Sequence, residues 1–217
     1  MPKAPAALII SPNYMGTGNG KDASEPRLLL ASTSPRRHSL LREAGIPFDA
    51  VAPRDVAEDF PTGELPRETV TRHARAKARS VAAAHPGRLL LGADTVVVLD
   101  GVVFGKPADE AEARAMLAAL QGRTHTVFTG LAVVDAASGR ELVDAEATDV
   151  TIRPLSSEEI AVYVATGEPL DKAGAYAIQG RGAFLVERVD GDYFNVVGLP
   201  LYRLSKMLAS FGYDVFR

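Results

Sequence analysis

The sequence predicts an α/β domain, and three observations carry that reading. A buried strand, Arg27 to Ala31, runs through a short polar turn into a helix that starts at Pro35. A longer apolar run, Leu89 to Leu99, reads as a central strand and ends at Asp100-Gly101, a hairpin signal. Amphipathic helical patterns over Pro66 to His85 and Ala108 to Leu120 lie on either side of it. At 217 residues the chain has room for one large α/β domain or two lobes sharing a sheet.

Composition narrows the function classes. Hydrophobic residues make up 47% and charged residues 24%, which is ordinary for a globular protein with a real core. A net charge of −3 leaves no basic footprint of the kind that non-specific nucleic-acid binding requires. The absence of cysteine rules out disulfides, thiolate metal sites and a cysteine nucleophile. No apolar run approaches the ~18 residues of a membrane span. Pro5 interrupts the short stretch Ala4 to Ile10, so no signal peptide is expected. Residues 1–26, rich in Pro, Gly, Asn and Ser, read as an extension ahead of a domain covering 27–217.

The first helix has a suitable N-cap in Ser34, Pro35 at its first position and Gly45 as its stop. Its start is crowded by Ser32, Ser34, Arg36 and Arg37. Arginine opposes the dipole there, and a bound anion would reverse that penalty. Phe48 to Ala52 reads as a second strand, followed by an acidic loop containing Asp55, Glu58 and Asp59. Along Pro66 to His85, Val70, Ala74, Ala78 and Val81 share one face, while Arg72, Arg75 and Arg79 form a solvated one. Lys77 falls on the inward stripe, where an ammonium needs a partner or a cleft.

Asp94 sits inside the central strand beside Thr95. A carboxylate there needs a cation or several donors, because an unpaired buried charge is very costly. It is either a structural aspartate holding backbone amides or a metal ligand or general base. Lys106, on the stiff Gly105-Lys106-Pro107 turn, brings a cation nearby. Thr124 to Val134 and Glu141 to Ile152 read as antiparallel partners, with His125 as an ordinary strand side chain. Ser156 and Glu159 form a capping box for a helix through Ala165. A long irregular loop follows, in which Asp171, Lys172, Tyr176 and Gln179 are ligand candidates; the Gln179 amide suits a nucleobase edge. A hairpin across Asp190-Gly191 into DYFNVV, then a final helix from Leu199, complete the reading.

Several separated stretches together resemble the Maf family of nucleoside triphosphate pyrophosphatases. They are Ser32-Thr33-Ser34-Pro35-Arg36-Arg37, Gly92-Ala93-Asp94-Thr95, Gly105-Lys106-Pro107, His125 to Gly130, Glu168 to Tyr176, Ile178-Gln179-Gly180 and Gly198-Leu199-Pro200. The match runs from about Leu28 to the C-terminus. The resemblance implies a two-lobed, mixed-sheet α/β fold like that of inosine triphosphate pyrophosphatases, with a cleft between the lobes. It implies hydrolysis of a nucleoside triphosphate to monophosphate and pyrophosphate, with a divalent metal (Mg²⁺ or Mn²⁺), in the cytoplasm. Thr95 and Gln179 match the branch acting on dTTP, UTP and related pyrimidine nucleotides. Asp94 matches the proton acceptor of that branch, and Arg36, Thr95 and Gln179 match positions tied to substrate choice.

Two positions depart from the family pattern: Ala57 stands where relatives often carry a second acidic residue, and Ala177 replaces a usual glycine. Glu58 is then the better partner for Asp94 in holding a metal. The expected site thus joins Ser32, Ser34, Arg36, Arg37, Lys77 and Lys106 on the triphosphate with Asp94 and Glu58 on the metal. The expected partner is the nucleotide, with no membrane or nucleic acid, and a homodimer is compatible with the reading. The family's link to septum formation supplies the competing reading, a nucleotide-binding regulator without turnover.

Overall fold

The computed structural model describes residues 28–216. The extension expected over 1–26 lies outside the described residues. One seven-stranded mixed sheet organises the rest. Its strands are β1 (Leu28–Ala31), β2 (Phe48–Val51), β3 (Leu89–Leu99), β4 (Val102–Phe104), β5 (Thr124–Asp135), β6 (Glu141–Ile152) and β7 (Val186–Asp190). The helices are α1 (Pro35–Glu43), α2 (Pro66–Arg79), α3 (Glu110–Leu120), α4 (Ser157–Val164), α5 (Tyr193–Val197) and α6 (Leu201–Ala209). The strand order is β2-β1-β3-β5-β6-β7, with β4 hairpinned onto β3. β1 is parallel to both neighbours, as the βαβ connections through α1 and α2 require, and the remaining pairings are antiparallel.

Two cores flank the middle of the sheet. One packs α1 and α6 on β1, β2, Leu89, Leu91 and Ala93 of β3 and Leu131 and Val133 of β5. The other packs α3 and α4 on Val97 and Leu99 of β3, Val127 of β5 and Val150 and Ile152 of β6. The same strands therefore run through both lobes. β3 passes from one core to the other across Asp94 and Thr95.

α2 covers the opposite face, with Val70, Ala74, Ala78 and Val81 all buried as the apolar period demands. Its approach to the sheet is unusually close. A Cβ added at Gly92 would overlap the Ala74 carbonyl, and one at Gly130 would overlap the Val70 carbonyl. Gly130 is the register partner of Asp94. The two glycines let the helix backbone rest on the strands, which brings the side chains of α2 down onto Asp94.

Several expectations need correction. α2 ends at Arg79 rather than His85, and a 3₁₀ turn at Ala82–Ala84 carries the chain on. The arginines of α2 face solvent as expected, but they also pair there: Arg75 and Arg79 with Glu141, and Arg72 with Asp59 and Glu64. The second hairpin arm expected over DYFNVV is instead the short helix α5. Asp192 caps it, accepting from the backbone N–H groups of Phe194 and Asn195. Ser34 occupies the N-cap position of α1, but its hydroxyl makes no capping bond.

His125 is a strand side chain of β5, as expected. It is buried, and its Nε2 lies 2.7 Å from the Tyr176 hydroxyl. Burial lowers its pKa to about 4, so the fold holds it neutral where the unfolded chain would protonate it. Stability from this group is complete above about pH 6.5 and is lost as the pH falls from there towards 4, by roughly 3 kcal/mol in all. Chemical denaturation of wild type and His125→Gln at pH 7 and pH 4.5 should show a smaller acid loss in the variant. Equal losses would mean that another group governs the acid limb.

Candidate active site

The two lobes enclose a cavity of about 590 Å³. All ten side chains expected at the site line it: Ser32, Ser34, Arg36 and Arg37 from the β1–α1 corner, Glu58, Lys77, Asp94 and Thr95 from the floor, and Lys106 and Gln179 from the far wall. Asp171, Lys172 and Tyr176 line it too. Five lysines and arginines therefore face three carboxylates (Glu58, Asp94, Asp171) in a chain whose net charge is −3. That local inversion of sign suits an anionic ligand.

The β1–α1 corner is held by its own side chains. His38 Nε2 donates to the Ser32 carbonyl at 2.8 Å. The Ser32 hydroxyl accepts from the Ser34 N–H at 3.2 Å and from Arg37 at 3.4 Å. Arg37 is buried, giving Nε to the Gly198 carbonyl at 2.9 Å and Nη2 to the Thr95 hydroxyl at 3.1 Å. Thr95 in turn meets the Thr129 hydroxyl at 2.9 Å. Arg37 is thus a fixed charge in the wall. Arg36 instead reaches across the mouth to Asp171 at 2.9 Å, where Lys172 also binds. Exposed pairs of this kind contribute little and exchange readily for a phosphate.

Side chains rather than backbone amides meet the two oxygens of Asp94. Lys77 Nζ donates to Oδ1 at 2.6 Å and also lies 2.6 Å from Glu58. His73 Nδ1 lies 2.8 Å from Oδ2, and its Nε2 lies 3.0 Å from the Asp59 carbonyl. Burial pushes the Asp94 pKa up, but the His73 bond and the charges of Lys77 and Arg37 outweigh it and hold the carboxyl below its ordinary value. Burial likewise opposes a charged His73, yet the bond to Asp94 and that carboxylate's charge hold its pKa above the ordinary value.

His73 was not among the residues expected at the site. Its signal was present: a polar residue four positions before Lys77, on the same inward stripe of α2. Phe60, which lines the cavity and packs edge-on to the His73 ring at 5.8 Å, had no signal in its irregular loop. The far wall is built by short turns around Glu168, which accepts from the Gly182 and Arg181 N–H groups and from the Tyr163 hydroxyl. The Gly174 N–H donates to the Gly105 carbonyl and so ties this wall to the Lys106 turn.

The family model described as Maf-like protein matches residues 27–211. The chain belongs to the Maf family. Among relatives of this Maf chain, one from Symbiobacterium thermophilum is 55% identical over 88% of the chain and 96% of its own length. One from Moorella thermoacetica is 55% identical over 88% and 97%. One from Geobacter sulfurreducens is 52% identical over 86% and 97%. All three are named dTTP/UTP pyrophosphatase. A solved structure from Mycobacterium abscessus, titled nucleoside-triphosphatase / dITP/XTP pyrophosphatase, is 20% identical over 59% of this chain and 75% of its own, with a TM-score of 0.37. Among the described residues, no helix is long and apolar enough to cross a membrane.

Proposed function

We propose that this Maf chain is a nucleoside triphosphate pyrophosphatase that hydrolyses dTTP and UTP to the monophosphate and pyrophosphate. The observation that carries the reading is Asp94, a carboxylate kept ionised by Lys77 and His73 on the floor of a cavity with a surplus of basic side chains. Relatives of this name at 52–55% identity along nearly their whole length support the choice of nucleotide. No observation favours a regulator without turnover.

In the proposed mechanism, Arg36, Lys77, Lys106 and the hydroxyls of Ser32 and Ser34 hold the triphosphate beside the N-terminus of α1. Arg37 adds fixed positive charge behind them. Thr95 and Gln179 face the nucleoside. Asp94 accepts a proton from the water that attacks the α-phosphorus. The bond from that phosphorus to the α–β bridging oxygen breaks, and pyrophosphate leaves with the bond's electrons. Charge neutralisation and positioning do most of the work in phosphoryl chemistry.

The donor set suits a hard divalent cation. Among the described residues no three His, Asp or Glu side chains form a ready cage. Mg²⁺ and Mn²⁺ sites commonly use one or two carboxylates and complete their shell with water and substrate phosphates. Glu58 and Asp94 are such a pair, both within reach of one Lys77 ammonium. When bound, the metal would supply further neutralisation at the phosphate oxygens. Lys77 would then turn from the two carboxylates to the phosphates.

Pyrophosphate release from a panel of natural and modified triphosphates, with and without Mg²⁺, tests this reading. dTTP and UTP should be turned over fastest, and only with the metal. Nucleotide binding without pyrophosphate release would support the regulator instead. Arg36→Ala should raise KM about tenfold or more, since a charge-assisted bond to phosphate contributes roughly 1.5–3 kcal/mol. An unchanged KM and an unchanged nucleotide preference would remove Arg36 from the substrate site.

A further inference from the structure

His73 is fully buried, yet each of its ring nitrogens meets an oxygen on a different part of the chain. Nδ1 meets Asp94 on β3, and Nε2 meets the carbonyl of Asp59 in the loop between β2 and α2. That loop also presents Glu58, the residue immediately before Asp59. One imidazole therefore bonds directly to the first proposed metal carboxylate and to the backbone next to the second. We propose that His73 is a positioning residue, a latch that fixes the distance between the Glu58 loop and Asp94.

The inference rests on the reading of Glu58 and Asp94 given above and adds a residue which that reading does not contain. Lys77 also touches both carboxylates, but its ammonium faces the cavity and is the group that phosphates would draw away. Arg72 also holds Asp59, at its carboxylate and its carbonyl, but pairs with Glu64 rather than with Asp94. His73 lies behind the cavity wall and has no exposed surface, so ligand binding leaves its two bonds in place. The Phe60 ring against its edge closes the remaining side. Partners that orient a ligating carboxylate from behind typically change metal affinity 10–100-fold when removed.

The two bonds can be cut separately. In His73→Asn the side-chain amide nitrogen falls near the Nδ1 position, keeping the hold on Asp94 and losing the loop. In His73→Gln it falls near Nε2, keeping the loop and losing Asp94. Mn²⁺ binding is read by electron paramagnetic resonance in the presence of dTTP carrying an α,β-methylene bridge. Hydrogen exchange reads the loop amides of residues 57–60. The latch predicts Mn²⁺ binding weakened 10–100-fold in both variants. It also predicts that loop exchange quickens at least tenfold in His73→Asn but stays at the wild-type rate in His73→Gln.

Readings are taken on variants that keep the wild-type circular dichroism. Loss of the fold in both overturns the proposal in favour of a purely structural histidine. Wild-type Mn²⁺ affinity in both folded variants, or unchanged loop exchange in His73→Asn, also overturns it. If the wild-type protein itself binds no Mn²⁺, the metal assignment fails and the latch is judged on exchange and kcat. A tenfold fall in kcat for His73→Gln with an undisturbed loop then supports it, and an unchanged kcat rejects it.

Discussion

Replacing Asp94 by Asn is expected to lower kcat for pyrophosphate release by a factor on the order of 10²–10⁴, the usual contribution of a positioned proton acceptor. The amide has the shape of the carboxylate but cannot accept a proton at neutral pH, and it carries no charge towards a divalent cation. The fold should survive, because Lys77 retains Glu58 as a counter-charge and the Asn oxygen can still accept from one of its two neighbours. Breaking a buried pair outright costs about 3–5 kcal/mol, and the remaining partner should keep the loss well below that. Melting curves and a pyrophosphate assay on the same preparation separate the two effects. Near-normal turnover would take the chemistry away from Asp94, whereas an unfolded variant would make it a structural residue.

A single methyl group at Gly130 should be almost as damaging, although that residue carries no functional group. In Gly130→Ala the new Cβ meets the backbone at Val70 and Thr71, which cannot turn aside as a side chain could. α2 has to lift from β5. Overpacking of this kind costs about 1–3 kcal/mol or more, which for a chain of this size lowers Tm by roughly 2–10 °C. Because His73 and Lys77 ride on α2, the same shift moves both away from Asp94, and a misplacement of ~1 Å can cost on the order of 10² in rate. Calorimetry and kcat should therefore fall together. A variant with wild-type Tm and kcat would show that the helix does not rest on the strand there.

Much of this was legible in the sequence, for identifiable reasons. β3 and β6 have the predicted limits because their apolar residues run unbroken or alternate up to clear turn residues, Asp100-Gly101 in the first case. The capping box at Ser156 and Glu159 formed as expected because it depends only on local spacing. The apolar stripe of α2 continues to Val81, beyond the end of the helix, so burial outlasts the hydrogen-bond pattern and the periodicity overstates the helix length. Tyr193 to Val197 favours a strand by composition, while the Asp192 cap and the packing against β5 decide for the helix α5.

The site followed the same division. Asp94 and Lys77 stood out because each is a charge in an apolar pattern, and the structure pairs them. The opposed arginines at the start of α1 look alike in sequence but differ in role. Arg37 turns inward to Gly198 and Thr95, whereas Arg36 spans the mouth to Asp171, a residue far along the chain. The contact of Asp59 with His73 depends on how an aperiodic loop folds back on α2. Nothing in local spacing encodes it.

Continuous strands across both lobes also limit how the molecule can move. β3 and β5 supply Ala93 and Leu131 to one core and Val97 and Val127 to the other, and they stay hydrogen-bonded over the whole crossing. Swinging the halves apart about a hinge would mean rupturing a ladder in the centre of the sheet. Nucleotides must therefore enter and pyrophosphate must escape past side chains and surface loops around a rigid frame. Arg36 with Asp171 at the rim is then the part free to act as a gate.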